Sequence, residues 1–226
     1  LSRRQRQMCI RDRYYLRMGN TNLKPEETSQ YNVGVTWSSS CGDWLRHFSI
    51  SADGYYNTVK DKIVALPTMY VWKMMNMGEV DIKGVDVNLS TQFRLPLRMS
   101  LLLASTYSFQ YAVDVTDPEA KNYKDQIPYT PRHSGTVSVT VENPWVNVSY
   151  ILTAVGDRYA LPQNIDRNRI DSYIEQSISI NRDFRFRYFG LRLQGELLNL
   201  ANVNYDVIQY YPMPGRSWRL SICLSY

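Results

Sequence analysis

Hydrophobic and polar residues alternate along much of the chain, and the clearest run lies at its C-terminal end. The apolar positions of this run are Trp218, Leu220, Ile222, Leu224 and Tyr226. Polar residues or a cysteine occupy every position between them, and a period of two predicts a β-strand with one apolar face. An apolar face that ends on an aromatic residue is typical of the closing strand of a transmembrane β-barrel. The last strand of a soluble β-sandwich is the alternative for this stretch alone.

The same alternation predicts nine strands from residue 14 onward. They span residues 30–37, 47–59, 80–93, 99–111, 134–141, 145–155, 170–180, 186–198 and 218–226. Several of them exceed the roughly 5–6 residues of an average strand and reach the roughly 9–11 that a tilted membrane strand needs. Gly84, near the start of the third strand, is expected to mark a bulge or bend.

The predicted connections alternate between short and long. Residues 94–98, 143–144 and 181–185 form short turns, and the long connections are 60–79, 112–133, 156–169 and 199–217. Short turns at one end and long loops at the other are characteristic of outer-membrane barrels. A soluble Greek-key sandwich gives no reason for such strict alternation.

Aromatic residues cluster at both ends of the predicted strands. Those at the short-turn end are Trp37, Trp44, Trp145, Tyr188 and Tyr226. Those near the opposite end are Tyr56, Tyr107, Phe109, Tyr111 and Tyr159. Two aromatic girdles are expected where a barrel meets the two membrane interfaces. The fold class predicted is therefore all-β, an antiparallel up-and-down transmembrane β-barrel.

The composition agrees with membrane-spanning strands. Hydrophobic residues make up 44% of the 226 residues, and no run approaches the roughly 20 apolar residues of a membrane helix. Only helices and closed barrels satisfy every backbone group in lipid, so strands would have to span the membrane. The mean hydropathy of −0.39 is compatible with this, because barrel strands are only half apolar.

The net charge of +5 arises mostly from residues 1–13, which hold five Arg and one Asp. This segment could be a basic nucleic-acid arm. Its sequence instead resembles a translated sequencing adapter, so we interpret 1–13 as a non-native leader and 14–226 as barrel. The remaining 213 residues carry 21 basic and 20 acidic side chains, and no nucleic-acid partner is expected. The native N-terminus is expected to be missing.

Motifs for catalysis or for metal and cofactor binding are not found in the sequence. There is no nucleophile elbow, phosphate loop or metal-spaced set of histidines and cysteines. Cys9, Cys41 and Cys223 have no C-x-x-C spacing, and His47 and His133 each lie at a strand edge. We therefore expect no enzymatic activity, no cofactor and no resident metal.

Six short motifs resemble, in order, those of TonB-dependent outer-membrane receptors. They are N-T-N-L-K-P-E at 20–26 followed by Tyr31 and Gly34, Y-Y-N with K-D-K-I at 55–63, K-G-V-D at 83–86, P-Y-T-P-R-H at 128–133, L-N-L-A-N at 198–202 with Tyr205, and Y-P-M-P-G-R at 211–216. Two positions depart from the family pattern: Asn32 replaces a common Glu, and Tyr226 replaces a common terminal Phe.

The resemblance implies a fragment of a larger transporter in the bacterial outer membrane. Family barrels have about 22 strands, so about nine strands would form an open sheet, roughly the C-terminal two-fifths of one barrel. The implied function is uptake of a scarce ligand, such as a siderophore, cobalamin, haem or glycan, driven by an inner-membrane energy complex. Implied partners are outer-membrane lipid, the barrel-assembly machinery, a plug domain and a TonB-type energy-coupling protein. The plug and the N-terminal segment that binds the coupling protein are expected to be missing from this sequence.

Two other functions remain open at this point. A passive porin or a structural outer-membrane barrel would lack the plug, and a soluble β-sandwich binding module would fold in water.

Inward charges could contact substrate or plug, although pairing among themselves or solvating the lumen is the simpler expectation. They are Asp53, Asp86, Arg192, Glu196 and Arg219.

Two sets of residues are candidates for function. Aromatics on the long loops suit ligand capture, with interface anchoring and loop packing as alternatives; they are Tyr70, Trp72, Tyr123, Tyr129, Tyr210 and Tyr211. The resemblance also implies that the final apolar face is a membrane-insertion signal, carried by Trp218, Leu220, Ile222, Leu224 and Tyr226.

Overall fold

The structure is a computed structural model that describes residues 20–67, 72–76 and 78–225. At positions 66, 67 and 72 it describes the backbone alone. The predicted leader at 1–13, the loop residue Tyr70 and the final residue Tyr226 lie outside the described residues. Within the described ranges, no helix has the length and apolar character needed to cross a membrane.

Strands dominate the described part of the chain, which also contains one short 3-10 helix, Asp166–Asn168. The strands are β1 (Glu27–Cys41), β2 (Leu45–Lys60), β3 (Ile63–Pro67), β4 (Trp72–Asn76), β5 (Glu79–Leu95), β6 (Met99–Asp114), β7 (His133–Glu142), β8 (Asn147–Val155), β9 (Arg158–Tyr159), β10 (Arg169–Ile170), β11 (Tyr173–Arg185), β12 (Gly190–Leu198), β13 (Asp206–Ile208), β14 (Tyr211–Pro212) and β15 (Ser217–Ser225).

Nine of these strands form one antiparallel sheet in the order β1-β2-β5-β6-β7-β8-β11-β12-β15. Each strand pairs with the next long strand along the chain, which is an up-and-down meander. In the described residues, β1 and β15 are the two edges and do not pair with each other. The prediction of an open, all-β antiparallel sheet of nine strands is confirmed.

The connections of the sheet alternate in length, as predicted. The short turns span 42–44, 96–98, 143–146 and 186–189, and the long connections span 61–78, 115–132, 156–172 and 199–216. Because the strands are antiparallel neighbours, all four long connections leave the same end of the sheet. We call this the long-loop end and the other the short-turn end.

One face of the sheet is apolar and exposed. Trp37 lies opposite Ile50, and Ile50 lies opposite Leu89 on the next strand. Along β1, the side chains of Val33, Val35 and Trp37 are 76%, 68% and 61% exposed. A continuous exposed apolar surface of this kind meets lipid or a partner rather than water. We call it the outward face.

The opposite, inward face is polar over the middle of the sheet. A row of small polar residues crosses five strands through paired positions: Ser51, Asn88, Thr106, Thr136 and Thr153. Alternation of apolar outward and polar inward residues is the pattern of a barrel that surrounds an aqueous lumen. The register thus places side chains as the sequence alternation predicts.

A small core covers the inward face at the long-loop end. It contains Val59, Val80, Ile82, Ala112 and Ile127. The first four belong to three neighbouring strands, whereas Ile127 comes from the connection 115–132, which folds back over the sheet. The Ile127 amide donates to the Ala112 carbonyl at 3.1 Å, and this bond holds the loop against the strand end.

The boundary between β11 and β12 differs from the prediction. Residues 181–185 continue β11, and the turn comprises 186–189. The polar residues Arg182 and Asp183 suggest a turn in the sequence. In the structure, the Arg182 guanidinium stacks on Phe184 of the same strand at 4.7 Å, and Asp183 pairs across the hairpin with Arg192 at 2.6 Å. These contacts let polar residues continue the strand.

The predicted bulge or bend at Gly84 is wrong. Gly84 pairs regularly with Tyr55 on one side and Gln110 on the other, with no shift in register. The reason for glycine here is space, because the Tyr55 ring occupies the volume that a Cβ atom would fill.

Candidate ligand site where the long loops meet

The long connections contact one another through backbone and side-chain hydrogen bonds. The Tyr129 amide donates to the Tyr159 carbonyl at 2.8 Å, which joins the connection 115–132 to 156–172. The Gln209 amide side chain donates to the Arg167 carbonyl at 3.1 Å, which joins 199–216 to 156–172. The loops at this end therefore pack together as one layer and are not isolated from one another.

A cavity of about 440 Å³ lies within this layer, on the inward side of the sheet. All four long connections contribute to its wall, together with the ends of β8 and β11. The lining residues are Val64, Ala65, Pro128, Tyr129, Pro131, Val155, Arg158, Tyr173, Val207 and Ile208. Its size and its mostly apolar lining with few polar groups match small-molecule sites, which span roughly 300–1,000 Å³.

Arg158 is the charged residue of this cavity, and it is only 3% exposed. Its Nη2 donates to the carbonyl oxygens of Asp206 and of Val207, the latter at 3.2 Å. Its guanidinium also lies over the Tyr173 ring, with 5.5 Å between Cζ and the ring centre. Nη1 is buried and has no hydrogen-bond partner among the described residues. Because buried donors are normally satisfied, Nη1 is the atom of this side chain whose hydrogen bond the described residues do not account for.

The electrostatics of the cavity favour an anionic or acceptor-rich ligand. Burial lowers the pKa of the Arg158 guanidinium, but an arginine remains charged in proteins. Burial likewise raises the pKa of the Tyr129 hydroxyl above its ordinary value, so this phenol stays neutral at physiological pH. The site thus combines one desolvated cation, a neutral phenol and apolar walls.

The structure separates the aromatic residues predicted for ligand capture. Tyr129 lines the cavity, whereas Tyr123 lines a different cavity of about 260 Å³. Tyr210 and Tyr211 are 78% and 64% exposed at the β13–β14 hairpin. Trp72 lies in β4, where its backbone pairs with Pro67. A role in ligand capture remains a prediction for all of them.

Several inward charges predicted from the sequence have polar partners. Arg192 pairs with Asp183 at 2.6 Å, and Arg219 pairs with Glu196 at 3.2 Å. The Asp86 carboxylate accepts a hydrogen bond from the Ser108 hydroxyl at 2.5 Å. In the described ranges, no three His, Cys, Asp or Glu side chains cluster as metal ligands would.

Strand β15 presents its apolar residues on the outward face. Trp218, Leu220, Ile222 and Leu224 are 79%, 65%, 64% and 66% exposed, and each lies opposite an outward position of β12. This placement agrees with the face predicted for membrane insertion. The function as an insertion signal stays a prediction.

Comparison with known proteins identifies relatives of this chain. A family model described as TonB dependent receptor-like, beta-barrel matches residues 10–200. A vitamin B12 transporter, BtuB, of Photobacterium profundum is 25% identical over 217 residues, which cover 92% of this chain and 31% of the relative. The chain therefore spans about a third of the length of that relative.

Solved structures share the fold. The copper transporter OprC superimposes with a TM-score of 0.65 at 17% identity, over 91% of this chain and 31% of that one. The siderophore receptor PiuA from Acinetobacter baumannii gives 0.65 at 17% identity, over 91% and 30%. Since the family model matches more than half of the residues, this chain belongs to the family of TonB-dependent receptor-like β-barrels, whose members reside in the bacterial outer membrane.

Proposed function

We propose that this chain is the C-terminal part of the barrel of an active outer-membrane transporter, which takes up a scarce ligand from outside the cell. The energy comes from an inner-membrane complex through a TonB-type coupling protein, and a plug domain fills the barrel. The short turns face the periplasm and the long loops face the exterior, as in outer-membrane barrels generally. The barrel-assembly machinery inserts the protein, with the outward face of β15 as part of its signal.

The observation that carries the proposal is the buried Arg158 at the meeting point of four long loops. A buried guanidinium whose Nη1 has no partner among the described residues is costly, and an acceptor on a bound ligand would offset that cost. Charge-assisted hydrogen bonds to carboxylate, phosphate or catecholate oxygens are stronger than neutral ones. Ligand classes that offer such oxygens include siderophores, haem, and the phosphate and amides of cobalamin.

Uptake assays on the full-length receptor test this proposal. The probes are radiolabelled vitamin B12, a ferric catecholate siderophore and haem, supplied to cells whose only outer-membrane route is the receptor. We expect saturable uptake of one probe that stops when the proton gradient is dissipated. Uptake that rises linearly with concentration and ignores the gradient would instead identify a passive porin.

A pair of arginine variants tests the site itself. Arg158→Gln should lower the affinity for the transported probe about tenfold, the loss expected for one charge-assisted hydrogen bond. Arg167→Gln is the control, because Arg167 is an exposed arginine on the same connection, 156–172. Equal affinities for both variants and the wild type would refute the assignment of Arg158.

A further inference from the structure

The outward face has a groove of about 640 Å³ across the last strands of the sheet. Its floor is a row of three paired positions, Ile180, Gly195 and Leu220, on β11, β12 and β15. Apart from Gly195 and its two chain neighbours, no described residue has an atom within 4 Å of the place where a Cβ atom at Gly195 would stand. The groove is therefore a gap in the outward wall that the neighbouring side chains leave open.

Apolar side chains extend the groove along the strands. Ile178, Leu197 and Trp218 line it toward the long-loop end, and Phe184 and Leu193 line it toward the short-turn end. The six residue-to-residue steps from Ile178 to Phe184 span about 20 Å at ~3.3 Å per residue. One leaflet contributes about 15 Å of hydrocarbon, half of the bilayer core. The groove is long enough for one fatty acyl chain.

A cation lies at the short-turn end of this groove. Arg182 is exposed on the outward face, and its Cζ is 4.7 Å from the centre of the Phe184 ring. The carboxylates of this region pair elsewhere, Asp183 with Arg192 and Glu196 with Arg219. None of the ion pairs in the described part of the chain includes Arg182. A guanidinium on a lipid-facing surface is costly unless it lies near the interface and meets an anion.

We propose that the groove binds one phospholipid of the periplasmic leaflet, with an acyl chain over Gly195 and the phosphate on Arg182. This inference uses the outer-membrane orientation of the proposed function but not its ligand site. Arginine suits the phosphate, because its planar N–H donors match phosphate oxygens while the guanidinium face stacks on a ring. The charge at one end and the apolar floor match the two parts of a phospholipid.

Native mass spectrometry of the purified, delipidated full-length receptor tests the proposal, with added dioleoylphosphatidylglycerol as the probe. The wild type should retain one lipid at low lipid concentration. Gly195→Leu should fill the groove, and Arg182→Gln should remove the phosphate contact, each weakening retention about tenfold. Arg182→Lys should keep part of the affinity because the charge remains.

The matched control is Gly54→Leu. Gly54 is also an outward glycine between two valines, Val33 and Val85, and a Cβ atom there would meet only the Val33 carbonyl oxygen, at 3.9 Å. This variant should retain lipid as the wild type does, and heat-modifiable gel mobility confirms that each variant is folded. Equal retention by all variants would overturn the proposal, and so would equal loss in Gly54→Leu. Retention of lipopolysaccharide in place of phospholipid, or a dimer whose formation Gly195→Leu abolishes, would also overturn it.

Discussion

The ring of Tyr55 lies over Gly84 on the neighbouring strand of the sheet. A Cβ atom at Gly84 would stand 2.5 Å from the Tyr55 hydroxyl oxygen and 2.6 Å from Cζ of its ring. The absence of a side chain lets the ring pack beside the core of Val59, Val80 and Ile82. The two residues are directly paired across β2 and β5. The glycine therefore leaves room for the Tyr55 ring beside the core that covers the inward face at the long-loop end.

We predict that Gly84→Ala destabilises the barrel. The new methyl group would meet both the Tyr55 ring and the backbone carbonyl of Phe109, and the backbone oxygen has little freedom to move. Overpacking of this kind costs about 1–3 kcal/mol. The thermal midpoint of the purified receptor should fall, whereas Gly54→Ala, which has open space, should leave it unchanged. Similar midpoints for both variants would contradict the packing argument.

A second prediction concerns the two faces of β15. Ile222→Asp places a carboxylate on the lipid-facing side, where charges are destabilising, and should reduce the folded fraction in membranes. Cys223→Asp places the same group opposite Arg192 on the inward face and should be tolerated. The readout is heat-modifiable gel mobility of membrane fractions. If Cys223→Asp is the more damaging variant, the assignment of faces is inverted.

A third prediction tests the insertion signal directly. Tyr226→Ala removes the last aromatic residue of the alternating run and should lower outer-membrane insertion far more than Cys223→Ala. The measurement is the amount of folded barrel recovered from the outer membrane at equal expression. Wild-type recovery of Tyr226→Ala would show that Tyr226 does not act in assembly.

A fourth prediction concerns Asn199, which is 3% exposed and has a positive φ of 50°. Its side chain donates to the Val203 carbonyl at 2.8 Å and accepts from the Val203 amide at 2.9 Å, and it fixes the start of the connection 199–216. Asn199→Ala should loosen this loop and cost about 1–3 kcal/mol, since it unpairs buried groups. Limited proteolysis should cut the loop faster. The control Asn204→Ala, at an exposed position, should match the wild type.

The sequence predicts the sheet well because the alternation of apolar and polar residues is visible within each strand separately. Val85, Val87 and Leu89 alternate with polar residues in the sequence, and in the structure all three lie on the outward face of the sheet. The prediction fails at residues 181–185, where the partners of Arg182 and Asp183 decide the local structure. Those contacts depend on side-chain geometry and on the opposite strand. The alternation of apolar and polar residues in the sequence carries no information about either.

The candidate ligand cavity could be predicted only in part from the sequence. The sequence singles out Tyr129 as a loop aromatic, but Arg158 has no distinguishing motif and resembles any surface arginine in a loop. Its burial depends on four connections that are far apart in sequence and meet only in the folded sheet. Burial of this kind depends on tertiary structure, and no local pattern encodes it.

The meander order of the sheet has a consequence for how such proteins diversify. Since every strand of the nine-stranded sheet pairs only with its nearest long neighbours, each long connection begins and ends on adjacent strands of that sheet. Insertions or deletions within a loop therefore leave the pairing of all other strands unchanged, and loop length has only a weak entropic cost. Evolution can therefore change the surface at the long-loop end one loop at a time while the nine-stranded sheet keeps its pairing.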